Sequence, residues 1–270
     1  MQDLLETIVA ATRQIIQTRR ESESIEDLEL RAEQHSPRRE YFEAELKRSD
    51  RLNVIAECKW RSPSKGRLVA TYDPTTTASL YAKGGAAAIS VLTEPTFFDG
   101  SLEHLKLVSS VVDRPLLRKD FIVDEYQLFE ARASSADAVL LIVAALDQAV
   151  LRRLHAQALK LGLAVLVEVH NTEEARRAMD VGARIIGVNN RNLHSLSVDL
   201  AVSHNIIKLL PREVISISES GLHSHADLLS LSSEGYDGFL IGERLMVDSN
   251  PAETLAKFVY GEQKLASESK

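Results

Sequence analysis

Short apolar runs recur along most of this chain, each followed by a polar break and an amphipathic stretch. They are Val54–Glu57, Ala86–Leu92, Pro115–Arg118, Ala138–Val143, Leu163–Val169, Arg184–Val188, Val214–Ser218 and Gly238–Ile241. Their apolar residues are near-continuous, not alternating, which predicts strands buried on both faces. Helical spacing follows them, as in Asp73–Lys83, Leu102–Val112, Asp147–Leu161, Glu173–Val181 and Ala226–Ser233. Strands alternating with helices predict a parallel sheet, because each return crossover needs a dozen or more residues. Eight such units in 270 residues predict an α/β chain folded as a single closed (β/α)8 TIM barrel, an architecture of about 250 residues. An open doubly wound sheet is disfavoured, since no G-x-G-x-x-G follows the first strand.

The first fifty residues have a different texture. Leu4, Leu5, Ile8, Val9, Ile15 and Ile16 fall at helical spacing, with Asp3 and Glu6 interrupting any secretory apolar region, so no signal peptide is expected. Residues 21–50 are charge-rich, with only Tyr41, Phe42 and Leu46 to build a core. The expectation is an N-terminal helical extension, 1–50, packed on a barrel spanning 51–270, one domain overall. Gly84-Gly85, Gly162, Gly182 and Gly235 each fall between a helix and a strand, where a left-handed C-terminal cap is wanted. In Tyr72-Asp73-Pro74, Asp73 reads as a helix cap and Pro74 as the first turn.

Composition narrows the function classes. A net charge of −7 argues against nucleic-acid binding. No apolar run approaches the roughly 20 residues of a membrane span. The single cysteine, Cys58, excludes an internal disulfide and fits a reducing compartment, so a cytoplasmic protein is expected. Nothing points to an obligatory protein partner or a metal. His223 and His225 form an H-x-H with no third ligand nearby.

In a barrel, chemistry gathers at the C-terminal strand ends. The first run ends in Glu57 and Lys59, which share a face, while Cys58 points the other way as a packed thiol. The other ends carry Arg118-Lys119-Asp120-Phe121, Glu168 between valines, Val188-Asn189-Asn190-Arg191, Ser218-Glu219-Ser220-Gly221 and Ile241-Gly242-Glu243. A charge within a buried strand is costly unless paired or used. Phosphate is suggested by the last two: Ser220-Gly221 and Gly242-Glu243 are of the type whose backbone N–H groups cradle an anion, with Glu243's side chain turned away. Ser62, Ser64 and Lys65 in the first loop could complete the cradle. His170 shares the parity of Glu168 and reads as a rim residue.

Several of these segments together resemble one family. The run Ile55-Ala-Glu-Cys-Lys-Trp-Arg-Ser-Pro-Ser-Lys-Gly66 resembles the first-strand signature of indole-3-glycerol-phosphate synthases. Ser90-Val-Leu-Thr-Glu-Pro-Thr-Phe-Phe-Asp-Gly100, Leu116-Leu-Arg-Lys-Asp-Phe-Ile-Val123, Leu140–Val143, Val167–Val169, Gly187–Arg191 and Ser218–Gly221 match in order, over about Leu4 to Phe258. The resemblance implies a lyase of tryptophan biosynthesis. It would cyclise, decarboxylate and dehydrate 1-(2-carboxyphenylamino)-1-deoxyribulose 5-phosphate without a cofactor. It places substrate and catalytic contacts at Glu57, Lys59, Ser62, Phe98, Lys119, Phe121, Leu140, Glu168, Asn189, Arg191, Glu219, Ser220, Gly221 and Gly242.

In that setting Lys119 is expected as general acid, supported by Lys59, and Glu168 as base. Lys59 or Glu57 would be the partner in the final dehydration, and the choice stays open. Phe98, Phe121 and Leu140 would wall the anthranilate ring, Arg191 would position substrate, and Ser62, Lys59, Gly221, Gly242 and Glu243 would hold phosphate. Trp60–Thr71 would form a loop that closes over the substrate. Trp60, often basic in the family, and Ser134-Ser135 are minor departures. The rival readings are another phosphate-binding barrel isomerase, phosphoribosylanthranilate isomerase-like, and a catalytically silent barrel serving as a partner subunit.

Overall fold

A computed structural model describes residues 4–262. Three helices come first: α1 (Leu4–Ser22), α2 (Ile25–Glu33) and α3 (Arg39–Leu46). Eight strands follow: β1 (Asn53–Cys58), β2 (Ala88–Leu92), β3 (Leu116–Lys119), β4 (Ala138–Ile142), β5 (Ala164–Val169), β6 (Ile185–Asn189), β7 (Ile215–Glu219) and β8 (Gly238–Ile241). All pairings between them are parallel, and β1 pairs with both β2 and β8, closing the barrel. The helices between and after the strands are α4 (Pro74–Lys83), α5 (Pro95–Phe98), α6 (Leu102–Ser109), α7 (Glu125–Ala133), α8 (Gln148–Lys160), α9 (Thr172–Asp180), α10 (Ala201–Ile206), α11 (His225–Glu234), α12 (Glu243–Met246) and α13 (Pro251–Tyr260). The expected (β/α)8 barrel is the observed fold. Parts of the expected spans at residues 1–3 and 263–270 lie outside the described residues.

Period-two alternation splits the core into two layers. Inward-facing Ile55, Leu117, Leu140, Leu166, Ile185, Ile217 and Leu240 fill the barrel, and Phe42 and Leu46 of α3 join this cluster. Outward-facing Val54, Ala56, Cys58, Ile89, Val91, Val165, Val167 and Val188 meet the surrounding helices. At the strands' N-terminal end Asn53 fastens α3, its Nδ2 donating to the carbonyls of Leu46 at 2.9 Å and Asp237 at 3.0 Å. Caps set where the helices begin. Asp73 accepts from the Thr75 and Thr76 N–H groups ahead of Pro74, as its sequence context indicates. Asp124 and Gln127 form a reciprocal capping box at α7.

Three local expectations change. Gly84 is right-handed (φ −74°), and the left-handed turn falls on Gly85 (φ 90°). Tyr41 is only half-buried under the Arg38 guanidinium, 5.2 Å from its ring centre. Leu28 and Ala32 of α2 supply the buried apolar face of the charge-rich stretch instead. The loop after β1 is partly ordered: Arg61–Ser62 and Gly66–Arg67 pair as a small antiparallel hairpin. Asp99 accepts from Arg61 and Arg67, both at 3.4 Å, and so ties the hairpin to α5. No helix among the described residues is long and apolar enough to cross a membrane.

Candidate active site

A cavity of about 590 Å³ opens at the C-terminal end of the barrel. Its lining brings together Glu57, Lys59, Ser62, Phe98, Lys119, Phe121, Leu140, Glu168, Asn189, Arg191, Glu219, Ser220, Gly221, Gly242 and Glu243. One half is apolar, with Phe98 and Phe121 rings 6.0 Å apart, closed by Leu140 and Ile142. The other half is charged.

Strand parity supplies the charged half. At the end of β1, Glu57 and the following Lys59 face the cavity and form a close ion pair, while Cys58 faces the outer layer, where burial pushes its thiol well up. From β3, Lys119 Nζ donates to Glu168 Oε2 at 3.0 Å and lies 3.6 Å from Glu219 Oε2. Asn189 Nδ2 donates to the other Glu168 oxygen at 3.2 Å. Asn189 Oδ1 in turn accepts from Ser220 Oγ at 2.9 Å and from the Arg191 N–H at 3.0 Å. One hydrogen-bonded chain therefore runs from Ser220 through Asn189 to Glu168 and Lys119.

Opposed forces set the charges. Burial works against a charged Lys119, but the carboxylates of Glu168, Glu219 and Glu57 outweigh it and hold the amine protonated. Burial likewise opposes ionised Glu168, and there the Lys119 charge wins, so its carboxyl sits well below the usual range. Glu219 goes the other way: burial, then the neighbouring Glu168 charge, push it up to about 8, so it is protonated at neutral pH. Two glycines make room for these acids. A methyl group on Gly187 would overlap the Glu219 carboxyl, and one on Gly242 would overlap that of Glu57.

Beside this hydrogen-bonded chain, Ser220 (φ 68°) and Gly221 (φ 78°) are consecutive positive-φ residues, a tight turn after β7 that lines the cavity with backbone. Glu243 departs from expectation. Its side chain does not turn away: its carboxylate pairs with Lys65 of the hairpin and lies 3.9 Å from Arg191 Nη2. Arg191 is braced by Nη1 donating to the Leu196 carbonyl at 3.1 Å.

Some polar strand-end residues do not reach the cavity. Arg118 is wholly buried outside the barrel, on Asp120 at 2.8 Å and Glu130 at 3.1 Å. Asn190 donates to Ser218 Oγ at 3.2 Å in the outer layer, so parity sends both residues away from the mouth. Other lining residues escaped the sequence reading. Leu4, Leu5 and Ile8 of α1 form part of the apolar wall, and only the helical periodicity of that segment hinted at a packed face. Buried Glu94 caps α5 by accepting from the N–H groups of Thr96, Phe97 and Phe98, which fixes Phe98 in place. The Glu94-Pro95 step was its one available signal. His225 Nδ1 lies 2.7 Å from the Phe258 carbonyl, and among the described residues no group of three or more His, Cys, Asp or Glu could hold a metal ion.

A parallel (β/α)8 barrel with an acid–amine cluster at its C-terminal mouth defines a barrel enzyme that acts on a small molecule. A family model described as indole-3-glycerol phosphate synthase matches residues 5–258. The indole-3-glycerol phosphate synthase of Kineococcus radiotolerans is 45% identical over 260 residues, covering 95% of this chain and 94% of that protein. That of Roseiflexus castenholzii is 46% identical over 254 residues, covering 91% and 94%. Among solved structures, KGPDC from Streptococcus mutans superposes with a TM-score of 0.60 at 14% identity, covering 81% of this chain and 99% of that one. Thiamine phosphate pyrophosphorylase from Pyrococcus furiosus gives 0.58 at 16% identity, covering 80% and 96%; both are likenesses of fold alone. The chain belongs to the indole-3-glycerol phosphate synthase family, whose members are decarboxylating lyases.

Proposed function

We propose that this barrel converts 1-(2-carboxyphenylamino)-1-deoxyribulose 5-phosphate to indole-3-glycerol phosphate, carbon dioxide and water, with the cluster around Lys119 performing the chemistry. The observation that carries the assignment of roles is the placement of a protonated Lys119 between Glu168 and Glu219, 3.0 and 3.6 Å away, beside an apolar half-cavity.

The anthranilate ring lies between Phe98, Phe121 and Leu140, with Leu5 and Ile8 behind. The phosphate lies at the Ser220-Gly221 turn and Gly242, reached by Arg191 and by Ser62 and Lys65 of the hairpin. This stretches the substrate across the mouth and brings its ketone to Lys119. The ring carbon bearing the carboxylate attacks the ketone carbon, and Lys119 gives a proton to the ketone oxygen as it becomes a hydroxyl. Carbon dioxide leaves with its bonding pair returned to the ring. In the dehydration, Glu168 takes a proton from the ring-closed intermediate while the hydroxyl departs as water, protonated from the Lys59–Glu57 pair. Glu168 is a weak base while Lys119 is charged. Once Lys119 has given up its proton, the Lys119 share of that restraint is lifted.

The neutral carboxyl of Glu219 closes the back of the site without adding a third negative charge, and Asn189 keeps Glu168 turned toward Lys119. The single, buried Cys58 suits a reducing cytoplasm. The test is indole fluorescence after adding the carboxyphenylamino substrate to pure protein. Lys119→Met should lower kcat by about a thousandfold with substrate still bound. Near-normal turnover in that variant would remove Lys119 from the acid role, and no indole product from the unaltered protein would overturn the reaction itself.

A further inference from the structure

His170 follows Glu168 by two residues at the end of β5, so both project inward. Its Nε2, sealed from solvent and without a hydrogen-bond partner, faces Glu168 Oε1 at 3.3 Å, an ion-pair contact when the ring is protonated. Its Nδ1 lies 3.0 Å from Glu174 Oε2 in the first turn of α9. The same Glu174 oxygen accepts the His170 backbone N–H at 2.8 Å, and the other accepts from Asn171 Nδ2 at 2.7 Å. The ring is thus clamped between two carboxylates, one of them the proposed catalytic base.

We propose that His170 is a positioning residue for the lyase reaction, a fixed imidazolium that keeps Glu168 counter-charged when Lys119 gives its proton to the substrate. The inference rests on the acid role of Lys119 and the base role of Glu168 given above. Its physical core is a charge count. Lys119 faces Glu168, Glu219 and Glu57, and Glu57 is matched by Lys59. With Glu219 neutral, a proton leaving Lys119 would strand the Glu168 carboxylate in a buried site, at a steep cost. A second cation on the far side of Glu168 lowers that cost and so makes Lys119 a stronger acid. Glu174 keeps that second cation charged. Although burial lowers the affinity of the ring for a proton, Glu168 and Glu174 outweigh it and raise it to about 9.

The test pairs His170→Gln with Glu174→Gln and uses Glu168→Gln as reference, each followed by kcat and KM across pH. Removing the imidazolium should lower kcat at neutral pH by about tenfold, the size of one nearby charge acting on a buried acid, with KM held within about twofold. In the unaltered enzyme kcat should fall on an alkaline limb near pH 9 as His170 loses its proton. That limb should vanish in His170→Gln and move to lower pH in Glu174→Gln. Imidazole nitrogen shifts give a readout independent of turnover, with His170 still doubly protonated at pH 8. An unchanged limb in both variants, or a neutral His170 ring at pH 8, overturns the proposal. If Glu168→Gln itself turns over normally, the base assignment has failed and not merely the part given to His170.

Discussion

Replacing Arg118 by methionine should destabilise the barrel sharply while leaving substrate binding intact. The guanidinium is completely buried and all its bonds are internal. Nη2 reaches Asp120 at 2.8 Å and Glu130 at 3.1 Å, Nη1 the Gln127 carbonyl at 2.6 Å, and Nε the Thr93 hydroxyl at 3.1 Å. Methionine fills similar volume but leaves two buried carboxylates without that cation. Breaking a buried pair from one side costs about 3–5 kcal/mol. Here each acid keeps other donors: Asp120 has the Thr93 hydroxyl at 2.6 Å and the Phe121 N–H at 2.8 Å, and Glu130 has Arg19 at 3.0 Å. The lower end, about 3 kcal/mol, is therefore expected. At about 2–4 °C per kcal/mol for a chain approaching this size, the melting temperature should drop by about 6–12 °C. Thermal and urea unfolding measure it, and Arg118→Met combined with Glu130→Gln should recover part of the loss, since one stranded charge is then gone. A single-variant melting temperature within about 2 °C of the parent would refute the reasoning, because it would mean that the acids carry no desolvation penalty.

Other outcomes follow from the same geometry. The Glu219 carboxyl binds its proton more tightly when folded, about 8 against 4.5, so between those values the native state holds a proton that the unfolded chain has released. Stability from this group is present at low pH and lost as pH rises through that window, and Glu219→Gln should flatten this part of a urea-midpoint profile taken from pH 5 to 8. The same slope in both proteins would show that Glu219 is ionised. Gly242→Ala should push Glu57 off Lys59 and lower kcat by about tenfold or more with the circular dichroism unaltered. Unimpaired turnover would mean that Glu57 need not sit there. Arg191→Lys should raise KM by about tenfold with little change in kcat, as the planar fork is lost but the charge kept. A change confined to kcat would place Arg191 at the reacting carbons instead.

The barrel was legible because fully buried parallel strands leave near-continuous apolar runs, as at Ala138–Ile142 and Ala164–Val169. Parity told Glu57 from Cys58 because that rule is local to one strand. Arg118 shows the limit. Adjacent to Lys119 and equally polar, it reads as a mouth residue, and only the packing of α7 reveals Glu130, which with nearby Asp120 holds it in the outer layer. The side-chain direction of Glu243 was equally hidden, since it depends on Lys65 of the hairpin, far away in the chain, and on Arg191 in the loop after β6. His170 shared the parity of Glu168, but the clamp that gives it significance comes from Glu174, one turn into the next helix. Sequence periodicity reports which face a residue takes; it is silent on what stands across from it.

The alternation that turns Glu57 inward and Cys58 outward also governs how this family of sequences can diverge. A single-residue insertion within β5 would rotate Glu168 and His170 into the apolar shell and bring Val167 and Val169 to the substrate, exchanging a working face for a greasy one in one step. Substitutions can be sampled one at a time, whereas length changes inside a strand are all-or-nothing. Insertions and deletions should therefore collect in the turns at the strands' N-terminal end and in the helix-to-helix links, leaving the eight strands as a fixed reading frame for the chemistry.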